Sequence, residues 1–391
     1  MLDSKKKQRN KQLNASNYIS QRALAFSKFS FYAPLNDAGA GAANLVLARG
    51  TGSATFTRAS VATTTLSTGL LGAVGSGVAR SLYSPSGIYL GYFAEGAATQ
   101  LITPTASIRD MTDASWVAVT MTAAKTSVGW DGAANSATRL TATGAGATIL
   151  QTLVAAASSR TYSCGIRRVT GTGTIKLVQG LTKSADLSAS LNSSTYTLVE
   201  LNASVLNAAY GIEIGTSGDA IDVDFNQFEA GTFATSRIVT AGATRATDVL
   251  TFPSSGNISL TVGSVFARFS WPGNIGTGII VCSDSSGQAQ LYRHSTGPLA
   301  SFDGTTVVNH GTPTTGSFNS AAMSYGTNGQ RGSMNGGAIT SGAFDGAYAN
   351  VGGNIGIGCF AFASALFNGT IRDVMISTQA LSDIELQLIT R

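Results

Sequence analysis

This chain is poor in charge, proline, histidine and cysteine, and each shortage excludes something. Charged residues make up 12% of its 391 positions, about half the share found in ordinary globular domains. The two histidines, His294 and His310, are the only imidazoles on which a Ser–His–Asp constellation could draw, beside Asp284 or Asp303. No GxSxG elbow stands in a strand–turn–helix setting, so no catalytic residues are assigned. Cys164, Cys282 and Cys359 are odd in number, widely spaced and form no CxxC pair. A zinc site or disulfide framework is therefore not expected, and the reading is of buried free thiols. No uninterrupted apolar run is long enough for a membrane-spanning helix, so no membrane insertion is expected. The basic N-terminus is not followed directly by the apolar core of a signal peptide.

What is abundant is glycine, at 46 residues, with Ser, Thr and Ala filling much of the remainder. That mix suits many short strands joined by tight turns, with hydroxyls facing water in place of charges. The formal charge of +5 is unevenly placed. Residues 1–30 hold seven basic side chains against Asp3 alone, so this stretch carries +6 and the remainder −1. A cationic tail precedes a nearly neutral body, which lacks the general basic footprint of a nucleic-acid binder. Glycine-rich pieces at 39–41 and 72–77 lack the lysine and the strand-to-helix context of a phosphate loop.

Period-two patterning predicts an all-β chain: two tandem, jelly-roll-like β-sandwiches preceded by an irregular, partly helical N-terminal anchor. Residues 1–35 form the anchor, in which 14–29 show helical spacing and basic side chains stand beside aromatics. Residues 36–115 read as a Gly- and Ala-rich connector with short strands at 54–56 and 88–93. Residues 116–248 and 249–391 read as the two sandwiches. Ile221, Val223 and Phe225 alternate with Asp222, Asp224 and Asn226, the pattern of a strand with one face buried and one in water. One helix closes the chain, with Ser382 as N-cap, Glu385 three residues on, and Leu386, Leu388 and Ile389 as its apolar positions.

Four segments carry a resemblance. They are Phe56-Thr-Arg58-Ala-Ser60, Ala79-Arg80 with Gly91 through Glu95 to Ile102, Gln227-Phe228-Glu229 through Thr235-Ser236 to Thr244-Arg245-Ala246, and Phe367 through Val374 with Leu381–Glu385. Together they resemble phage virion appendages: tail fibres, head fibres and spikes. In that resemblance 116–248 is similar to a carbohydrate-binding-module-like jelly roll, and 249–391 to a laminin-G or concanavalin-A-like sandwich. Gln100 departs from the asparagine more usual at its place. The resemblance implies a virion protein, assembled in the host cytoplasm, that forms homotrimers and displays its sandwiches toward host-surface glycans. A head-decoration or collar fibre without a receptor role, or a polysaccharide depolymerase, are the alternatives.

On this reading Lys5, Lys6, Lys7, Arg9, Lys11, Phe26, Phe29, Phe31 and Tyr32 fix the subunit to a capsid, portal, collar or tail protein. Trp130, Trp271, Tyr292, Arg293 and His294 are the candidates for glycan contact, because aromatic faces suit the apolar faces of sugar rings. No cofactor is expected. Oxygen ligands for a structural Ca2+ would come from Asp222, Asp224, Asp284 or Asp303. Trimerisation would bury Gly- and Ala-rich segments such as 38–80.

Overall fold

The computed structural model describes residues 21–103, 105–240, 242–271, 277–283, 288–294, 297–349, 353–360 and 366–391. The fold is all-β with two sandwiches. The smaller is a jelly roll built from two five-stranded antiparallel sheets. One runs in the order Val117–Val119, Ala147–Thr152, Ala209–Ile214, Ile175–Gln179, Thr182–Lys183. The other runs Met121–Ser127, Ala137–Ala142, Ala220–Ala230, Ser159–Thr170, Thr197–Ser204. Leu140, Ile149, Tyr162, Leu177, Ile212, Val223 and Phe228 meet between the sheets, each fully or almost fully buried. This is the expected consequence of alternating apolar positions on two facing sheets.

The larger sandwich does not wait for residue 249 to begin. Its ten-stranded sheet places Arg80–Tyr83 beside Tyr89–Ala94, then Gly369–Ser377, Gly263–Ser270 and Phe318–Tyr325. Phe31–Ala33 pairs with the other side of Gly369–Ser377, in register Phe31 opposite Ile376. Its seven-stranded partner sheet takes Thr55–Thr57 against Val249–Pro253. The stretch 36–115, expected as a connector, thus supplies strands to both sheets. The jelly roll is an insertion between the two halves of the larger sandwich. Gly91 shows why the early strands fit: a Cβ there would lie 2.6 Å from the Ile371 carbonyl oxygen, at φ +126°. A side chain at 91 would hold the two strands apart.

The anchor reading needs the same correction where it can be seen. Lys5, Lys6, Lys7, Arg9 and Lys11 lie outside the described residues. Phe29 and Phe31, however, are buried in the body of this chain, and Phe31 meets Phe252 edge-on at 5.3 Å. Tyr32 donates its hydroxyl hydrogen to Asp373 at 2.9 Å. Phe29 and Phe31 complete cores of this chain, which removes those two from an external interface, whereas Tyr32 is half-buried. The Gly- and Ala-rich segment also finds burial within one chain, since Ala43, Ala62 and Ala79 are all buried there. The C-terminal helix, Asp383–Thr390, has the expected capping box at Ser382 and Glu385.

The most regular-looking strand departs from its pattern. Asp222, Asp224 and Asn226 are fully buried, not in water. Ala220–Ala230 is the central strand of its sheet, and a bulge sets Phe225 and Asn226 opposite Cys164, with Phe225 at φ +51°. The extra residue turns Phe225 to the polar face, where it joins Trp130 and Tyr196.

Candidate functional site

The polar face of that sheet is satisfied by arginines. Asp222 accepts from Arg139 Nε at 2.9 Å, Arg167 at 2.7 Å and the Ser127 hydroxyl. Asp224 takes two bonds of 2.8 Å from Arg109, whose guanidinium lies 4.0 Å from the Phe225 ring centroid. It also accepts the backbone N–H of Trp130 at 2.8 Å. Burial raises the Asp224 carboxyl above its usual range even so. In the larger sandwich Asp303 accepts backbone N–H groups from Thr305, Thr306 and Asp345. The Ca2+ candidates Asp222, Asp224 and Asp303 therefore each have protein donors, and among the described residues no carboxylate, Cys or His cluster could hold a metal. Asp284 lies outside the described residues.

Where the jelly roll meets the larger sandwich, a second ionic network is almost dry. Arg58 and Arg80 both bind Asp248, Arg58 at 2.9 Å, and all three side chains are fully buried. Arg80 also pairs with Glu95 at 2.9 Å and bonds Ser236 at 2.8 Å. Arg245 approaches Glu95 at 3.6 Å. Burial opposes ionisation of Glu95, but Arg245 and Arg80 outweigh it and hold the carboxyl down to about 2. From the jelly-roll side Glu229 accepts Thr235 N–H at 2.7 Å, and Arg237 donates to Ser163 at 2.7 Å. Gln100 is bonded to the Phe228 N–H at 3.0 Å and to the Asn226 carbonyl at 3.1 Å. Arg58, Arg80, Glu95, Gln100, Gln227, Glu229, Ser236 and Arg245 all belong to the segments that carried the virion resemblance. In this fold they lock two sandwiches together.

Above this lock lies a cleft of about 410 Å3. The jelly roll contributes Trp130, Tyr196 and Leu198; the larger sandwich contributes Phe93, Ser270 and Trp271. Trp130 stacks with Tyr196 at 6.2 Å and 23°. Its ring also covers Gly165, where a Cβ would come within 2.6 Å of the indole. Trp271 ends the Gly263–Ser270 strand and is held by the Arg293 guanidinium, 4.4 Å from its ring centroid. Its indole N–H has no acceptor among the described residues. Threonine and serine hydroxyls from Thr63–Thr65, Thr235, Ser236 and Thr370 complete the wall.

The expected sugar-contact residues thus divide. Trp130 and Trp271, far apart in sequence, face one cleft, and Arg293 supports one of them from behind. Tyr292 sits instead in a small core with Ile279, Cys282 and Ala300. His294 contacts Tyr292, ring centroids 6.1 Å apart, and does not border the cleft. Tyr196 and Phe93 were not singled out, because a lone aromatic in a strand reads as core.

His310 bonds Ser301 Oγ at 3.0 Å and Thr340 Oγ1 at 2.9 Å, with burial lowering it to about 4. The ring is 3% exposed, so this Ser–His contact is closed to substrate. A histidine kept neutral by the fold but free to protonate when unfolded, near 6.5, destabilises the native state on acidification. Stability is expected to fall as pH drops from about 6.5 to about 4. In denaturant melts His310→Gln should flatten that part of the profile; an unchanged slope would show that other groups set it.

No protein-family model matches this chain, and no curated protein sequence matches it. Among solved structures it is similar to the CBM40 module of the Ruminococcus gnavus IT-sialidase bound to α2,3-sialyllactose. Identity there is 17%, over 34% of this chain and 83% of that one, with TM-score 0.28. It is also similar to Trypanosoma rangeli sialidase, at 9% identity over 58% of this chain and 32% of that one, TM-score 0.29. The tandem CBM22-1–CBM22-2 pair of Paenibacillus barcinonensis Xyn10C gives 11% identity over 73% of this chain and 99% of that one, TM-score 0.26. Likenesses this distant bring neither ligand nor partner to this chain.

Proposed function

We propose that this chain is a glycan-binding subunit displayed on a virus particle, and that the cleft between its two sandwiches holds the sugar. One observation carries the reading: Trp130, Tyr196 and Trp271 come from separate parts of the sequence and border a single cavity of about 410 Å3. That volume is in the range of small-molecule sites, and aromatic edges with hydroxyls around them suit a pyranose. The three rings are each more than nine-tenths buried, so a ligand meets edges and narrow strips, and affinity per site is weak. Several copies on one particle would convert weak contacts into firm attachment.

The charged groups on the cleft wall are Glu95 and Arg237, and both are engaged in the lock described above. A neutral saccharide therefore fits better than a sialylated or uronate-bearing one. An ionised Glu95 is also a poor proton donor, which favours binding over glycoside cleavage. The virion setting and the trimer come from the resemblance alone. The test is a glycan array probed with the full chain, with its mass in solution measured alongside. Selective binding of neutral oligosaccharides by a trimer supports the proposal. Binding to no glycan would leave a decoration or collar role, and a single-chain mass would remove the trimer.

A further inference from the structure

A second cavity, of about 550 Å3, opens on the face of the ten-stranded sheet turned away from its core. Along Gly263–Ser270, Val265, Ala267 and Phe269 point into the sandwich, while Phe266 and Arg268 point out. The floor is apolar, from Phe26, Phe266, Phe318 and Met375, and Arg22, Arg268 and Arg391 stand around it. The acidic side chain on its wall, Asp373, accepts the Tyr32 hydroxyl, and Arg22 donates to the Arg391 main-chain oxygen at 3.0 Å. The guanidinium of Arg268 lies 5.0 Å from the Phe318 ring centroid, and that of Arg372 lies 5.7 Å from it. Among the described residues neither Arg268 nor Arg372 has a carboxylate within salt-bridge distance or a hydrogen-bond acceptor. Arg268 and Arg372 share one acidic side chain, Asp373, the cross-strand partner of Arg268, so positive side-chain charge is in excess at the rim and complements an external anion.

We propose that this cavity docks an acidic segment of another protein, a carboxylate between the arginines and an apolar side chain on the aromatic floor. The apolar floor of Phe26, Phe266, Phe318 and Met375 takes an apolar side chain, which favours a protein over an acidic saccharide. Like charge disfavours the chain's own residues 1–20, which hold Lys5, Lys6, Lys7, Arg9 and Lys11, and equally a second copy placed face to face. Attachment to a particle then rests on a folded pocket as well as on the tail.

The test uses the full chain and a fluorescein-labelled short peptide of glutamates around one phenylalanine, followed by anisotropy. Binding is expected at about 50 mM salt and should weaken at about 200 mM. The Arg268→Glu, Arg372→Glu double variant should weaken it about tenfold or more. Replacing the five tail cations with glutamine should weaken it less. The unfolding midpoint of each variant shows that the fold is kept, and unchanged binding of a neutral saccharide in the cleft separates this site from the glycan reading. Affinity that survives the arginine reversal but is lost with the tail would overturn the proposal. So would an alginate oligosaccharide that binds through Arg268 and Arg372 while the peptide does not, or no peptide binding at all.

Discussion

Asp248→Ala is expected to be the most damaging single change in the molecule, lowering stability by about 3–5 kcal/mol. Asp248 sits at the centre of the lock: Arg58 and Arg80 both end on it, and the Glu95 N–H donates to it at 3.0 Å. All three side chains are out of water, so removing the carboxylate takes from Arg58 its acid and leaves Arg80 to Glu95 alone, where neither guanidinium can be rehydrated. Asp248→Asn keeps the shape without the charge and should cost nearly as much. Asp131→Ala is the contrast: its pair with Arg109 is about one quarter exposed on each side, so about 1 kcal/mol or less is expected. Denaturant unfolding of the three variants measures the difference. If Asp248→Asn unfolds within about 1 kcal/mol of the parent, the junction is not what holds the sandwiches together. Glu95 adds a pH signature of known sign. Its folded carboxyl is held down to about 2 from the ordinary 4.5, so its contribution is complete above 4.5 and is lost as pH falls toward 2. That window lies largely below the one set by His310, and Glu95→Gln should remove it.

The strands that were legible in the sequence are those whose alternation is local. Ala220–Ala230 falls where the alternation from Ile221 to Phe225 places a strand, and the C-terminal helix is written in its capping box. The early strands were not legible for a physical reason. Phe31–Ala33, Ala42–Ala43 and Arg80–Tyr83 are short, and the partners that stabilise them lie more than 340 residues away or in other small strands. The exceptions are Thr55–Thr57 and Tyr89–Ala94, which lie within a residue of the short strands expected at 54–56 and 88–93. The same blindness applies to charge. Asp222 and Asp224 read as a wetted face because acids usually are wet; that Arg139, Arg167 and Arg109 cover them is a fact of tertiary packing.

The insertion explains why the residues of the virion resemblance converge. A module inserted into a sandwich enters and leaves near one point, and the chain there must pass from one core to another. Gln100 and Ile102 mark the way in; Thr235 through Asp248 mark the way out. At such a crossing there is little apolar surface to bury, so backbone and side chains are tied by hydrogen bonds and paired charges. A pattern of Arg, Glu and Gln in a chain with few charges is thus a signature of the junction, and the cleft above it shares Glu95, Ser236 and Arg237 with that junction while its aromatic wall comes from elsewhere.

Trp271→Ala and Trp130→Ala are each expected to weaken saccharide binding by about thirtyfold, the loss of roughly 2 kcal/mol of aromatic contact at the centre of a small site. The two should differ in side effects. Trp130 rests on Gly165 and Tyr196, so its removal widens the cleft from the jelly-roll side. Trp271 removal opens the cleft from the side of the larger sandwich instead. Trp271→Phe keeps a ring but loses the indole N–H that has no acceptor among the described residues, and should cost about twofold to tenfold, the worth of one hydrogen bond. Tyr292→Ala supplies the control: it lies in a separate small core, so it should lower stability and leave affinity alone. Saccharide titrations followed by tryptophan fluorescence give all four values. If the alanine variants at 130 and 271 bind as the parent does while remaining folded, the sugar is not held between the sandwiches.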